Sequence, residues 1–133
     1  MKVFIFGNPI VADDNSAFKV AEYLKNKIPE VDFAIINPNE DIPFADLRHP
    51  VLIDAIENIK KVTILNEEDI DKISPMKSVS VHDWDLGFQL KYLKKLGKLN
   101  KITIIGLPMG KKINYLRIQS ILRKLVEQEM QGS

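Results

Sequence analysis

Acidic side chains and one imidazole stand at places in this sequence where chemistry would be expected. Asp13-Asp14 follows the apolar run Lys2–Phe6 across Gly-Asn-Pro-Ile-Val-Ala, and Asp54 closes the run Val51-Leu52-Ile53. His82 lies between Ser78–Val81 and a helix-like stretch. Each also has a plain structural reading. Asp14 or Asn15 sits where a helix wants its N-cap, an interaction worth about 1 kcal/mol, with Asp13 a solvated neighbour. Asp83 or Asp85 would cap the next helix, and a lone histidine is commonly a satisfied structural group. Asp54 is harder to dismiss, because an acid on so apolar a run is costly when buried unless it is paired or ligates something. Trp84, between two acids, is either tucked under a helix start or a docking surface. His49, before Pro50 in a charged loop, receives no role. Taken together, Asp14, Asp54 and His82 offer two oxygen donors and one nitrogen. That donor set, with coordination positions left open, suits a borderline divalent metal such as nickel or zinc. Three protein ligands leave room for water or for a ligand that a partner brings, and spacing alone does not choose between these.

The elements that must position these residues alternate as in an α/β protein. Strands are predicted at Lys2–Phe6, Val31–Ile36, Val51–Asp54, Val62–Leu65 and Lys101–Gly106. Helices are predicted from Ser16 to Ile28, from about Asp85 to Leu96, and from Ile113 to Glu129. The first buries Ala17, Val20, Ala21, Leu24 and Ile28 and is closed by Pro29; the last turns Ile118, Ile121, Leu122 and Leu125 inward. About seven residues separate the third and fourth strands. A parallel crossover needs roughly a dozen, so these two are expected to form an antiparallel hairpin. Glu67–Lys72 reads as a polar surface turn, and residues 37–50, with three prolines, as irregular. The expected architecture is a three-layer α/β/α sandwich. Its sheet has about five strands, mostly parallel, one of them antiparallel. Sheets of this kind bind ligands at the carboxyl ends of their strands, where the acids and the imidazole fall.

Composition narrows the function classes. The 133 residues suit one domain, 1–133, and 45% are hydrophobic, enough for a real core. Nineteen basic against 18 acidic residues give a net charge of +1, so no bulk basic field points to nucleic acid or an anionic membrane. Cysteine is absent, which removes disulfides, thiolate metal sites and a cysteine nucleophile. No apolar run approaches the roughly 18–20 residues that a bilayer demands, and the opening segment is too soon broken by Gly-Asn-Pro for a signal peptide. A cytoplasmic protein is expected. The phosphate-binding, dinucleotide-binding, nucleophile-elbow and His-Glu-x-x-His motifs are all missing from the sequence.

Three segments, in order, resemble the hydrogenase maturation endopeptidases. FGNPIVADDNSAFKVAEYL is similar to that family's opening strand, its Gly-Asn and acidic loop, and its first amphipathic helix. VLIDAI is similar to its strand ending in Asp-Ala, and VSVHDWDLGFQLKYLKKLGK to its histidine followed by a leucine-rich helix. KITIIGLP resembles the last strand. Asn15 and Ala17 depart from the small residues usual there, and the chain is shorter than most members around Asp54–Leu65 and after Leu65.

The resemblance implies an endopeptidase that removes the C-terminal extension of a [NiFe] hydrogenase large-subunit precursor. It places Asp14, Asp54 and His82 on the family's metal-contacting positions, with Asp14 and Asp54 as the catalytic acids. No resident cofactor is implied, since the nickel arrives in the substrate. The partner is the precursor, with no nucleic acid and no membrane. Whether either acid also serves as a general base stays open.

Two other readings of the same residues stand beside this one. In a receiver-like phospho-acceptor domain Asp54 would be the acceptor. However, Asp13-Asp14 is displaced from its strand by Gly7–Ala12, and Leu107-Pro108 stands where Lys-Pro is expected. The third is a non-proteolytic binding module on the same fold.

Overall fold

A computed structural model of the chain describes residues 1–6, 15–36, 49–56, 59–72, 95, 101–110 and 112–131. Five strands form one sheet: β1 (Lys2–Ile5), β2 (Asp32–Ile35), β3 (Val51–Ile56), β4 (Thr63–Asn66) and β5 (Thr103–Pro108). Helix α1 spans Ser16–Leu24, helix α2 spans Tyr115–Gln131, and a 3₁₀ turn covers Glu67–Lys72. The expected helix from Asp85 lies outside the described residues.

Strand order across the sheet is β2-β1-β3-β5-β4. Apolar content decides who sits where. The runs VLIDAI and TIIGLP are buried at all six positions and take the centre. The more polar DFAI and TILN take the two edges, where one flank faces solvent. β1 is parallel to both β2 and β3, and β3 is parallel to β5. β4 is antiparallel, but its partner is β5.

The expected β3–β4 hairpin is therefore corrected: the antiparallel direction holds, and β5 stands between the two strands. Stepping over one strand covers about 10 Å, and the six residues 57–62 can reach roughly twice that. The short connection is thus long enough to step past β5. It leaves that fully apolar strand with a neighbour on each side.

Both faces of the sheet's centre are buried. Val3, Ile5, Val51, Ile53, Ile105 and Leu107 pack beneath α1 and α2, meeting Ala17, Val20 and Leu24 of the first and Ile118, Leu122 and Val126 of the second. Each valine, leucine or isoleucine among them contributes about 1.5–3 kcal/mol. Phe4, Phe6, Leu52, Ile56 and Ile104 form the core of the opposite face, joined by Ile70 from the 3₁₀ turn. The turn read as polar surface is thus anchored by one fully buried isoleucine.

Helix α1 is shorter than predicted, ending at Leu24. Residues 25–28 continue as a turn, with the Lys27 and Ile28 N–H groups both donating to the Leu24 carbonyl. Pro29 bars the helix from running on past Ile28, since it drives the residue before it away from helical backbone angles. Arg123 of α2 donates from Nη2 to the Lys27 carbonyl at 2.9 Å, tying the two helices together at that point. Asn15 is the N-cap residue of α1; its carbonyl accepts from Phe18 and Lys19, and its side chain makes no capping bond.

Candidate active site at the carboxyl end of the third strand

The chain reverses its strand order between β1 and β3. From β1 it runs outward to β2 on one flank, then returns to add β3 on the other. In open α/β sheets the carboxyl end of such a pair opens into a crevice where ligands bind. The ladder between β1 and β3 ends at Ile5↔Ile53, and the Phe6 N–H donates to the Ile53 carbonyl at 3.0 Å. Asp54 is the next residue. It is the first position of β3 beyond β1, while on its other flank it still lies in register with Gly106 of β5.

Asp54 is 8% exposed, one of two polar residues in the buried core among the described residues. Its neighbours in the strand, Ile53 and Ala55, are buried. By strand alternation it shares a face with Leu52 and Ile56, opposite to the face covered by α1 and α2. The strand was expected to stop at Asp54 and instead continues to Ile56, because Ala55 and Ile56 are apolar and pair with Leu107 and Pro108.

Gly106 fits its place by having no side chain. A Cβ built there would lie 2.8 Å from Ile56 Cδ1, 3.2 Å from Ile59 Cδ1 and 3.4 Å from the Thr63 carbonyl oxygen. The position beside Asp54 is thus closed by two isoleucines and the backbone of β4. A glycine within an apolar strand is the sequence signal for such a close approach. The register that puts it beside Asp54 is a long-range fact.

Of the residues singled out from sequence, Asp54 is placed by the structure at the sheet's switch point. Asp14 and His82, with Asp13, Asp83, Trp84 and Asp85, lie outside the described residues. Among the described residues no three His, Asp or Glu side chains come together to hold a metal ion. A ligand set built on Asp54 therefore draws on residues beyond them. Chemically, a carboxylate in apolar surroundings is a strong ligand for a divalent cation and a competent proton acceptor.

His49, given no role from sequence, belongs to the opposite end of the same strand pair. Its Nε2 lies 2.7 Å from Thr103 Oγ1, across 54 residues of chain. Nearby, Glu67 Oε2 accepts the Ile102 N–H at 3.2 Å. Hydrogen bonds from its own backbone N–H and from that of Ile102 hold the Glu67 carboxyl below the usual glutamate range.

Comparison with known proteins gives this geometry a family. The chain is similar in structure to the hydrogenase maturating endopeptidase HybD from E. coli, with a TM-score of 0.55 at 17% identity over 99% of this chain and 91% of that one. It is similar to the hydrogenase 2 maturation peptidase from a Thaumarchaeota archaeon, with a TM-score of 0.50 at 19% identity over 98% of each chain. It is also similar to the [NiFe] hydrogenase maturation protease HycI from Thermococcus kodakarensis, with a TM-score of 0.50 at 19% identity over 95% of this chain and 92% of that one. At these identities the likeness shows a shared fold. No curated protein matches the chain in sequence. The family model for hydrogenase maturation protease, however, matches residues 41–131, a span that contains Asp54 and His82 and begins after Asp14. That span is more than half of the chain, and it favours the first of the three readings of the acids. The chain belongs to the hydrogenase maturation protease family, whose members are peptide-bond hydrolases.

Proposed function

We propose that this protein acts in the cytoplasm, as one domain over residues 1–133. It removes the C-terminal extension of a [NiFe] hydrogenase large-subunit precursor once nickel has been inserted. Asp14, Asp54 and His82 contact the nickel that the substrate carries, and the enzyme holds no metal of its own. The observation that carries this reading is the position of Asp54: a buried acid on an apolar strand, one residue past the point where β1 ends, in a chain matched to this protease family.

An incomplete ligand set suits recognition. Two carboxylates and one imidazole supply enough donors to sense an ion already seated in another protein, and too few to strip it out. The substrate's nickel polarises the scissile carbonyl or a water molecule, and the acids orient the attack. Asp54, fixed within a six-residue strand, supplies the rigid member of the set.

The test is incubation of the enzyme with nickel-loaded and nickel-free precursor, followed by mass analysis of the precursor's C-terminus. Loaded precursor is cut and empty precursor is not, at any enzyme concentration. Brief chelation of the enzyme alone, with the chelator then removed, leaves activity intact. Cleavage of empty precursor at a similar rate, or restoration of a chelated enzyme by zinc, would make this an ordinary metalloprotease and end the proposal.

A further inference from the structure

Helix α2 carries more apolar surface than the sheet beneath it covers. Of its four residues predicted to face inward, Ile118 and Leu122 are fully buried, while Ile121 and Leu125 are only partly buried. They line a groove of about 830 Å³ between α2 and the edge strand β4. Leu116, 72% exposed, and Ile64 of β4, 49% exposed, complete its apolar wall. Lining positions from Leu116 to Gln128 run the length of α2, a reach of about 18 Å at 1.5 Å per residue. That length suits a segment of polypeptide rather than a small molecule.

The charge of the groove says which segment. Arg117 and Lys124 line it, seven residues and therefore about 10 Å apart along the helix, and none of the described lining residues is acidic. Neither cation forms an ion pair among the described residues. With a net charge of only +1 over the whole chain, two cations beside an apolar wall, neither of them ion-paired among the described residues, are a local feature. A second copy of this chain, presenting the same cations, would gain nothing from them.

We infer that the groove between α2 and β4 docks an acidic, amphipathic segment of a partner protein. Apolar side chains of that segment rest on Ile64, Leu116, Ile121 and Leu125, and its carboxylates meet Arg117 and Lys124. The groove lies on the sheet face of α2, opposite to the face that Asp54 shares with Leu52 and Ile56. It is therefore a separate surface, and the inference does not rest on the nickel reading.

The experiment uses the full chain and four labelled synthetic probes read by fluorescence anisotropy. These are a 12-residue peptide with Leu and Glu at helical spacing, the same peptide with Lys for Glu, the same with Ser for Leu, and a single-stranded oligonucleotide. The Leu/Glu peptide binds, and added salt weakens it. Arg117→Glu with Lys124→Glu lowers its affinity about tenfold or more and transfers preference to the Leu/Lys peptide. Leu116→Ser weakens the Leu/Glu peptide without changing the far-ultraviolet circular dichroism. The inference is overturned if the Leu/Glu peptide fails to bind at millimolar concentration, or if the double variant binds it as wild type does. Equal binding of the Ser/Glu peptide or tighter binding of the oligonucleotide also overturns it. So does sedimentation of the chain as a dimer that Leu116→Ser dissociates.

Discussion

The two ends of the β3–β5 pair hold polar residues in different settings. At the amino end, His49 and Thr103 bond to each other at 2.7 Å, and Glu67 takes up the Ile102 N–H. These groups close the end of the sheet, and the scaffold accounts for them. At the carboxyl end, Asp54 shares its face with Leu52 and Ile56 and lies in register with a glycine. The strands around it explain its burial. The contrast is between polar groups that meet across the strand pair and an acid buried at the sheet's switch point.

Replacing Asp54 by Asn is the strongest way to break this contrast. Processing of loaded precursor falls by about 10²–10⁴-fold, measured as the rate of loss of the C-terminal extension. Denaturant midpoints stay level or rise, because in the proposed site Asp14 and Asp54 cluster, and removing one of the two carboxylates relieves repulsion. A loss of several kcal/mol instead would move Asp54 to the structural side.

Gly106→Ala sharpens the comparison by crowding the position beside Asp54. A Cβ at 2.8 Å from Ile56 and 3.2 Å from Ile59 costs about 1–3 kcal/mol in urea melts, softened to the extent that the two isoleucine ends can move. Thr103→Val, at the opposite end, removes the hydroxyl that meets His49 and lowers stability by about 0.5–1.5 kcal/mol. It leaves the rate of precursor cleavage unchanged.

The smallest effect concerns Glu67. Its carboxyl titrates below the ordinary glutamate range when folded, so its contribution is complete above the unfolded value of about 4.3 and is lost as pH falls through the folded value. Glu67→Gln therefore narrows the stability difference from wild type as melts are taken from pH 7 down to pH 3. At neutral pH the difference is no more than about 1 kcal/mol, because Glu67 is partly exposed to solvent.

Strand positions were legible in the sequence because five apolar runs are bounded by prolines, glycines and charges. Helix faces were legible from their period: Ala17, Val20, Leu24 and Ile28 are all fully buried, as predicted. Strand partners were not. Choosing β5 over β3 as the neighbour of β4 depends on residues about 40 positions apart, and no local pattern records that choice. The same limit hid the meeting of His49 with Thr103 and of Asp54 with Gly106. Asp54 itself was visible because a lone acid in VLIDAI breaks an otherwise apolar run. Asp14 and His82, read the same way, lie outside the described residues, and their convergence with Asp54 stands as part of the proposal.

The placement of β5 has a consequence for how the chain is made. The strand that emerges late from the ribosome is central in the finished sheet. Until Thr103–Pro108 has been synthesised, β3 keeps an unpaired apolar edge, and β4 has no strand to join. Such an edge is an invitation to pair with another nascent chain. Synthesis of this protein is therefore expected to depend on something that shields β3 while roughly 50 further residues are added.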